Sequence, residues 1–187
     1  MRRFLGAAVA AATLAVSAAR AQDSAEAAPP AADPRSHWAI LGGLGHTAQF
    51  VTSDETKAFL LLAAPQWSYR VSRVVEAVAE GHLAGYVGNA DGWFAGVVPI
   101  GLRFQVPDSE WRPYLQFGGG FGWTNLDVVE IDRRFNFIVT GALGARPHGE
   151  LGPLSLEIRL VHYSNANTVL PNYSLNSIAL VGGWRLQ

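Results

Sequence analysis

The stretch Leu154-Ser155-Leu156-Glu157-Ile158-Arg159-Leu160-Val161-His162-Tyr163-Ser164 opens with a strict alternation of apolar and polar side chains. Successive side chains of a strand point to opposite faces. Leu154, Leu156, Ile158 and Leu160 therefore share one face, and Ser155, Glu157 and Arg159 the other. The same parity carries His162 and Ser164 onto the apolar face. Residues 165–174 read as a loop, and a returning strand repeats the pattern with Ile178, Leu180, Trp184 and Leu186. Asn176 has their parity. A His, a Ser and an Asn thus fall on the greasy side of a β-hairpin, near its connecting loop. Three polar side chains suit such a face if they act on something greasy.

The chain outward from this hairpin follows the same rule. Strands are predicted near 37–48, 57–71, 73–87, 93–106, 112–124, 134–146, 153–164 and 175–186, each ending in turn-like residues. In the third, Val75, Ala77, Ala79 and Leu83 oppose Glu76, Glu80 and His82. In the fourth, Val98, Ile100, Leu102 and Phe104 are expected to oppose Arg103 and Gln105. In the fifth, Leu115, Phe117, Phe121 and Trp123 oppose Tyr114 and Gln116; in the sixth, Phe135, Phe137 and Val139 oppose Asn136 and Thr140. No segment sustains a helical period. Eight amphipathic strands imply an all-β fold, an eight-stranded antiparallel barrel whose narrow interior is filled by side chains.

Which face lines the interior decides between a soluble and a membrane barrel. The polar faces carry Glu76, Glu80, Arg103, Glu157, Arg159 and Arg185, charges that can pair within a narrow lumen. Trp38, Trp67, Trp93, Trp111, Trp123 and Trp184 fall mostly near strand ends, as interfacial girdles require. Apolar outside and charged inside is the pattern of a transmembrane β-barrel; a lipocalin-like soluble barrel is the inverse alternative.

The N-terminus points the same way. Arg2 and Arg3, an Ala-, Leu- and Val-rich run from Phe4 to Val16, and Ala19-Arg20-Ala21 form a signal-peptide pattern over 1–21. Residues 22–36 are rich in Ala, Pro and acids and are read as a flexible leader, leaving 37–187 for the barrel. Removing Arg2, Arg3 and Arg20 leaves 11 basic residues against 15 acidic, which argues against nucleic acid as a partner. The absence of cysteine excludes a disulfide framework and a thiolate nucleophile. The expected location is the cell outer membrane. With the N-terminus periplasmic, odd strands run outward, and the nine residues Leu154 to His162 suit one crossing of the hydrocarbon. His162 and Ser164 then meet the outer leaflet, where lipopolysaccharide presents its acyl chains.

Ser Oγ becomes a nucleophile when a neighbouring base takes its proton, and His does this at neutral pH. His162 and Ser164 are next neighbours on one strand face. A third group must fix the imidazole tautomer, and Asn176 occupies the matching face of the adjoining strand. Ester attack also needs donors for the oxyanion, for which Asn165, Asn172 and the backbone amides after Ser164 are candidates.

His162-Tyr163-Ser164-Asn165-Ala166 and Pro171-Asn172, with their flanking strands, resemble the signature of the PagL-type lipid A 3-O-deacylases. The resemblance implies an eight-stranded barrel that removes the ester-linked 3-hydroxyacyl chain at position 3 of lipid A, with no metal or other cofactor. It implies Ser164 as nucleophile, His162 as base and Asn172 as an oxyanion donor. Lipid A in the outer leaflet is the implied partner, and homodimer formation is left open. Where the best-known members carry Glu, this chain has Asn176. A neutral amide orients a His but lends imidazolium no charge, so the departure implies weaker deacylation, another nearby acid, or a member without activity. Glu157 does not substitute, because its parity turns it inward. The competing reading is a non-catalytic, structural or adhesive outer-membrane barrel with a vestigial site.

Other features are weaker. His37, His46, His82 and His148 are scattered, without metal-site spacing. Asp127, Glu130, Asp132, Arg133 and Arg134 read as a solvated extracellular loop, with cation bridging or Arg–phosphate contact as alternatives.

Overall fold

A computed structural model of the protein describes residues 35–48, 56–131, 133–168, 170 and 173–186. The expected signal peptide and nearly all of the expected leader lie outside them. Eight strands follow in chain order: β1 Ser36–Thr47, β2 Ala58–Arg70, β3 Val75–Gly88, β4 Gly92–Gln105, β5 Pro113–Thr124, β6 Phe135–Ala145, β7 Leu154–Ser164 and β8 Leu175–Arg185. Each is antiparallel to its sequence neighbours, and β1 pairs with β8 from Ala39↔Arg185 to Thr47↔Ser177, closing the barrel. The seam is tight at Gly45, where any Cβ would collide with the carbonyl oxygen of Ile178. Closure leaves no open sheet edge, the condition under which strands can lie in hydrocarbon.

The alternation is apolar-out. Ile40, Leu44, Phe59, Leu102, Leu156, Ile158 and Leu180 are exposed on the outer wall, while Glu76, Arg103, Glu157 and Arg159 are buried inside. Trp38, Trp111 and Trp184 stand exposed at the end of the barrel where β1 starts, and Trp93 and Trp123 at the other.

The lumen has two layers. The half nearer the start of β1 is an ionic network. Arg159 meets Glu80 at 3.0 Å and Glu157 at 2.7 Å; Arg103 meets Glu76 at 2.9 Å, and Arg146 reaches the same carboxylate at 3.2 Å. Gln66 and Gln116 accept from Arg103, Gln66 donates to Glu80, and Tyr114 donates to Glu157. Buried charges need such a density of partners, because desolvation costs several kcal/mol per ion, roughly. The other half is apolar, built from Leu41, Leu60, Phe94, Ile138, Tyr163, Leu175 and Val181 among others.

Two expectations are corrected. Val98 is buried inside, not on the outer face with Ile100. The β4–β5 register shifts between Val97 and Ile100, so one bulge reverses the parity beyond it. Pro99 sits within that shift and has no N–H to give the ladder. The second correction concerns the β5–β6 loop, which is not wholly solvated. Leu126 and Ile131 enter the apolar layer, and Glu130 is only 4 % exposed.

Candidate active site

Tyr163 explains why its neighbours face outward. It is fully buried, its ring stacks on Phe94 with centroids 4.0 Å apart, and its hydroxyl lies 2.6 Å from His82 Nε2. With Tyr163 held in the lumen, strand parity turns His162 and Ser164 to the outer wall. Both are partly exposed there. Sequence reading did not single out Tyr163, although an aromatic of inward parity between two outward polar residues was the available signal.

His162 pairs directly with Asn176 in the β7–β8 register, and its Nδ1 lies 2.8 Å from Asn176 Oδ1. An amide oxygen only accepts, so Nδ1 carries the proton and donates it. Nε2 is then the ring nitrogen left to accept a proton. The Asn176 amide is held in this sense by its own Nδ2, which donates to the carbonyl oxygen of Ser174 at 3.5 Å.

Ser164 lies one step further along β7, towards the β7–β8 loop and opposite Phe137 of β6. Residues two apart on a strand have Cα atoms about 6.7 Å apart, and among the described residues no hydrogen bond joins Ser164 to His162. The two side chains share a face without being locked together. Catalytic hydrogen bonds are often long before substrate binds.

The remaining expected donors are distributed differently. Asn165 is buried, 1 % exposed, so its side chain is withdrawn from the exposed face that carries Ser164. Its carbonyl oxygen accepts from Thr168 N at 3.1 Å, closing a turn whose central residues, Ala166 and Asn167, have φ of 52° and 59°. Two successive positive φ values are those of a type I′ turn. Asn172 and Pro171 lie outside the described residues.

Below the His–Asn pair runs a groove of about 260 Å³, lined on the outer wall by Phe117, Val139, Gly141, Leu160, His162 and Asn176. Gly141 makes the room: it pairs with Phe117 on one side and Leu160 on the other, and carries no side chain between them. On the adjoining strand Gly119 faces open space. Above the groove stand Phe121, Trp123, Phe135 and Phe137, stacked edge to face or tilted with centroids 5.4–6.3 Å apart. The site is thus an apolar furrow with an oriented imidazole at its upper end and a serine hydroxyl one step beyond. Such an arrangement can support proton abstraction from a hydroxyl beside an apolar ligand.

No curated protein sequence matches the chain. Among solved structures, the outer membrane enzyme PagL is similar in fold, with a TM-score of 0.65 at 15 % identity over 79 % of this chain and 99 % of that one. Neisserial surface protein A is also similar, with a TM-score of 0.56 at 12 % identity over 81 % of this chain and 95 % of that one. At these identities the likeness concerns the fold. The family profile described as lipid A 3-O-deacylase (PagL) matches residues 58–185, which span β2 to β8 and the whole of the β7–β8 hairpin. The chain, an outer-membrane β-barrel with hydrolase-family signature, belongs to the PagL lipid A 3-O-deacylase family.

Proposed function

We propose that this protein hydrolyses the ester at position 3 of lipid A, releasing the (3-hydroxy)acyl chain in the outer leaflet, with Ser164, His162 and Asn176 as its catalytic group. The observation that carries this reading is the 2.8 Å bond from His162 Nδ1 to Asn176 Oδ1 at the head of an apolar groove on the lipid-facing wall. Membership of the deacylase family supports the substrate class.

In this mechanism the acyl chain lies in the furrow beside Gly141 and Leu160. Ser164 Oγ attacks the ester carbonyl carbon as its proton passes to His162 Nε2, and the C–O π pair moves to the carbonyl oxygen. Backbone amides after Ser164, together with Asn172 as the family resemblance implies, stabilise that oxyanion. Collapse breaks the bond to the sugar oxygen, which takes the proton from imidazolium and leaves as the free 3-hydroxyl. Water, deprotonated by the same Nε2, then cleaves the acyl-serine and frees the fatty acid. Throughout, Nδ1–H stays on Asn176 Oδ1. The substrate's acyl chain never leaves an apolar surrounding, so no extraction from the bilayer is required.

The test is mass spectrometry of lipid A from Gram-negative cells expressing either the native chain or Ser164→Ala. Loss of one 3-hydroxyacyl mass with the native chain only is expected. Unchanged lipid A in cells whose outer membrane contains the folded barrel would sink the proposal.

A further inference from the structure

The β5–β6 loop reaches across the barrel mouth and touches the hairpin that carries the site. Its Leu126 and Ile131 pack in the apolar cluster that also holds Tyr163 and Leu175, the inward neighbours of the proposed catalytic residues. A short bridge between Val128 and Ile131 folds the loop tip. Glu130, within that tip, makes two kinds of contact. Its carboxylate accepts from Thr56 Oγ1 at 2.7 Å and from Thr56 N at 3.3 Å. Its backbone carbonyl accepts from Ser174 N at 3.0 Å.

Ser174 is an unusual residue to find so held. It has φ of 66°, a left-handed conformation that a residue with a Cβ adopts only when its surroundings impose it. Its carbonyl oxygen is the acceptor for Asn176 Nδ2. A continuous line of contacts therefore runs from Thr56 through Glu130 and Ser174 to Asn176, and from Asn176 Oδ1 to His162 Nδ1. The amide of Asn176 has two nearly isosteric ends, and among the described residues the long 3.5 Å contact from its Nδ2 to the Ser174 carbonyl is what favours turning Oδ1 to the imidazole. A carboxylate in the family's usual position has no such ambiguity, so the Asn makes this chain depend on the Ser174 carbonyl.

We infer that Glu130 is a positioning residue for the deacylation: clamped by Thr56, it fixes Ser174 and thereby the orientation of the Asn176 amide and the tautomer of His162. The inference rests on the proposed function above. Glu130 touches no substrate; it acts through the amide.

Purified folded barrel in detergent, with lipid A as substrate, tests it. Glu130→Ala should lower kcat about tenfold with KM within about twofold of the native value, the signature of a group that acts on the reaction and not on binding. Glu130→Gln, which keeps one acceptor for Thr56, should recover most of that loss. In an Asn176→Ala background, Glu130→Ala should have no further effect, because the two act through one contact. Nitrogen NMR of 15N-histidine-labelled protein gives a readout independent of activity: one tautomer at His162 in the native barrel, a mixture in Glu130→Ala. Unchanged kcat with an unchanged tautomer, or an effect additive with Asn176→Ala, would overturn the inference. An inactive native protein would overturn the proposed function alone, while the tautomer measurement still decides the role of Glu130. If Glu130→Ala does not fold, Thr56→Val, which removes the hydroxyl donor, takes its place, and full activity with one His162 tautomer would equally overturn it.

Discussion

Nδ1 of His162 and Oδ1 of Asn176 stand 2.8 Å apart across directly paired residues of β7 and β8. The pair occupies the lipid-facing wall, a surface on which a polar side chain has few partners other than its own cross-strand neighbour. The contact orients the ring without supplying charge. This separates orientation from electrostatics in a way that substitution can measure.

Asn176→Ala removes the acceptor and leaves the imidazole free to take either tautomer. A hydrogen bond to a group that becomes charged is worth about 1.5–3 kcal/mol, so kcat for lipid A deacylation is expected to fall about ten- to a hundredfold. Asn176→Glu should raise it above native, by about tenfold, since a charge-assisted bond to imidazolium is roughly twice as strong as a neutral one. Steady-state kinetics on lipid A in mixed micelles measures both. A Glu variant slower than native would mean that the Asn is tuned to its site.

Gly141→Phe should fill the furrow without disturbing the barrel. A Cβ at this position meets nothing closer than Phe117, at 3.8 Å. The expected result is a loss of kcat/KM that grows with acyl-chain length, with thermal stability unchanged or higher. Equal loss for short and long acyl esters would remove the furrow from the acyl-binding path.

The two ionic centres of the lumen differ in redundancy. Arg159 serves both Glu80 and Glu157, whereas Glu76 is served by both Arg103 and Arg146. Removing one partner of a buried pair costs about 3–5 kcal/mol. Arg159→Met should approach that cost, because it takes the paired cation from two buried carboxylates and leaves each only a neutral donor, Gln66 for Glu80 and Tyr114 for Glu157. Arg103→Met should cost less, since Arg146 remains on Glu76. Urea unfolding of the two variants in detergent gives the ranking, and equal losses would contradict it.

Ala166 occupies the turn after Ser164 with φ of 52°. Left-handed backbone suits Gly better than any residue with a Cβ. Ala166→Gly should therefore stabilise the barrel, or cost nothing, by a balance of about 1 kcal/mol of relieved strain against added chain entropy. Destabilisation in the same unfolding assay would place the value of the strained turn elsewhere, in presenting the amides that follow Ser164.

By itself, the sequence determined the barrel and its polarity. Period-two alternation is a local property, repeated over eight segments, and each strand end lies within two residues of its expected position. Charges at Glu76, Glu80, Arg103, Glu157 and Arg159 sit on the face opposite the leucines, as parity predicts, and that face is the inside, as the strand-end tryptophans and the N-terminal pattern indicated. Parity likewise brought His162, Ser164 and Asn176 to one face. Tertiary structure decided what parity does not carry. A bulge beside Pro99 turned Val98 inward, because one extra residue inverts every alternation beyond it. Register, which depends on closure of all eight strands, set His162 opposite Asn176 and left Ser164 opposite Phe137. The turn withdrew Asn165, and Arg146, a residue just past a strand end, joined Glu76 from a distance of 70 positions in the chain. Glu130 met Thr56 over 74 positions. Such contacts join segments with no shared period, and only the folded chain brings them within reach.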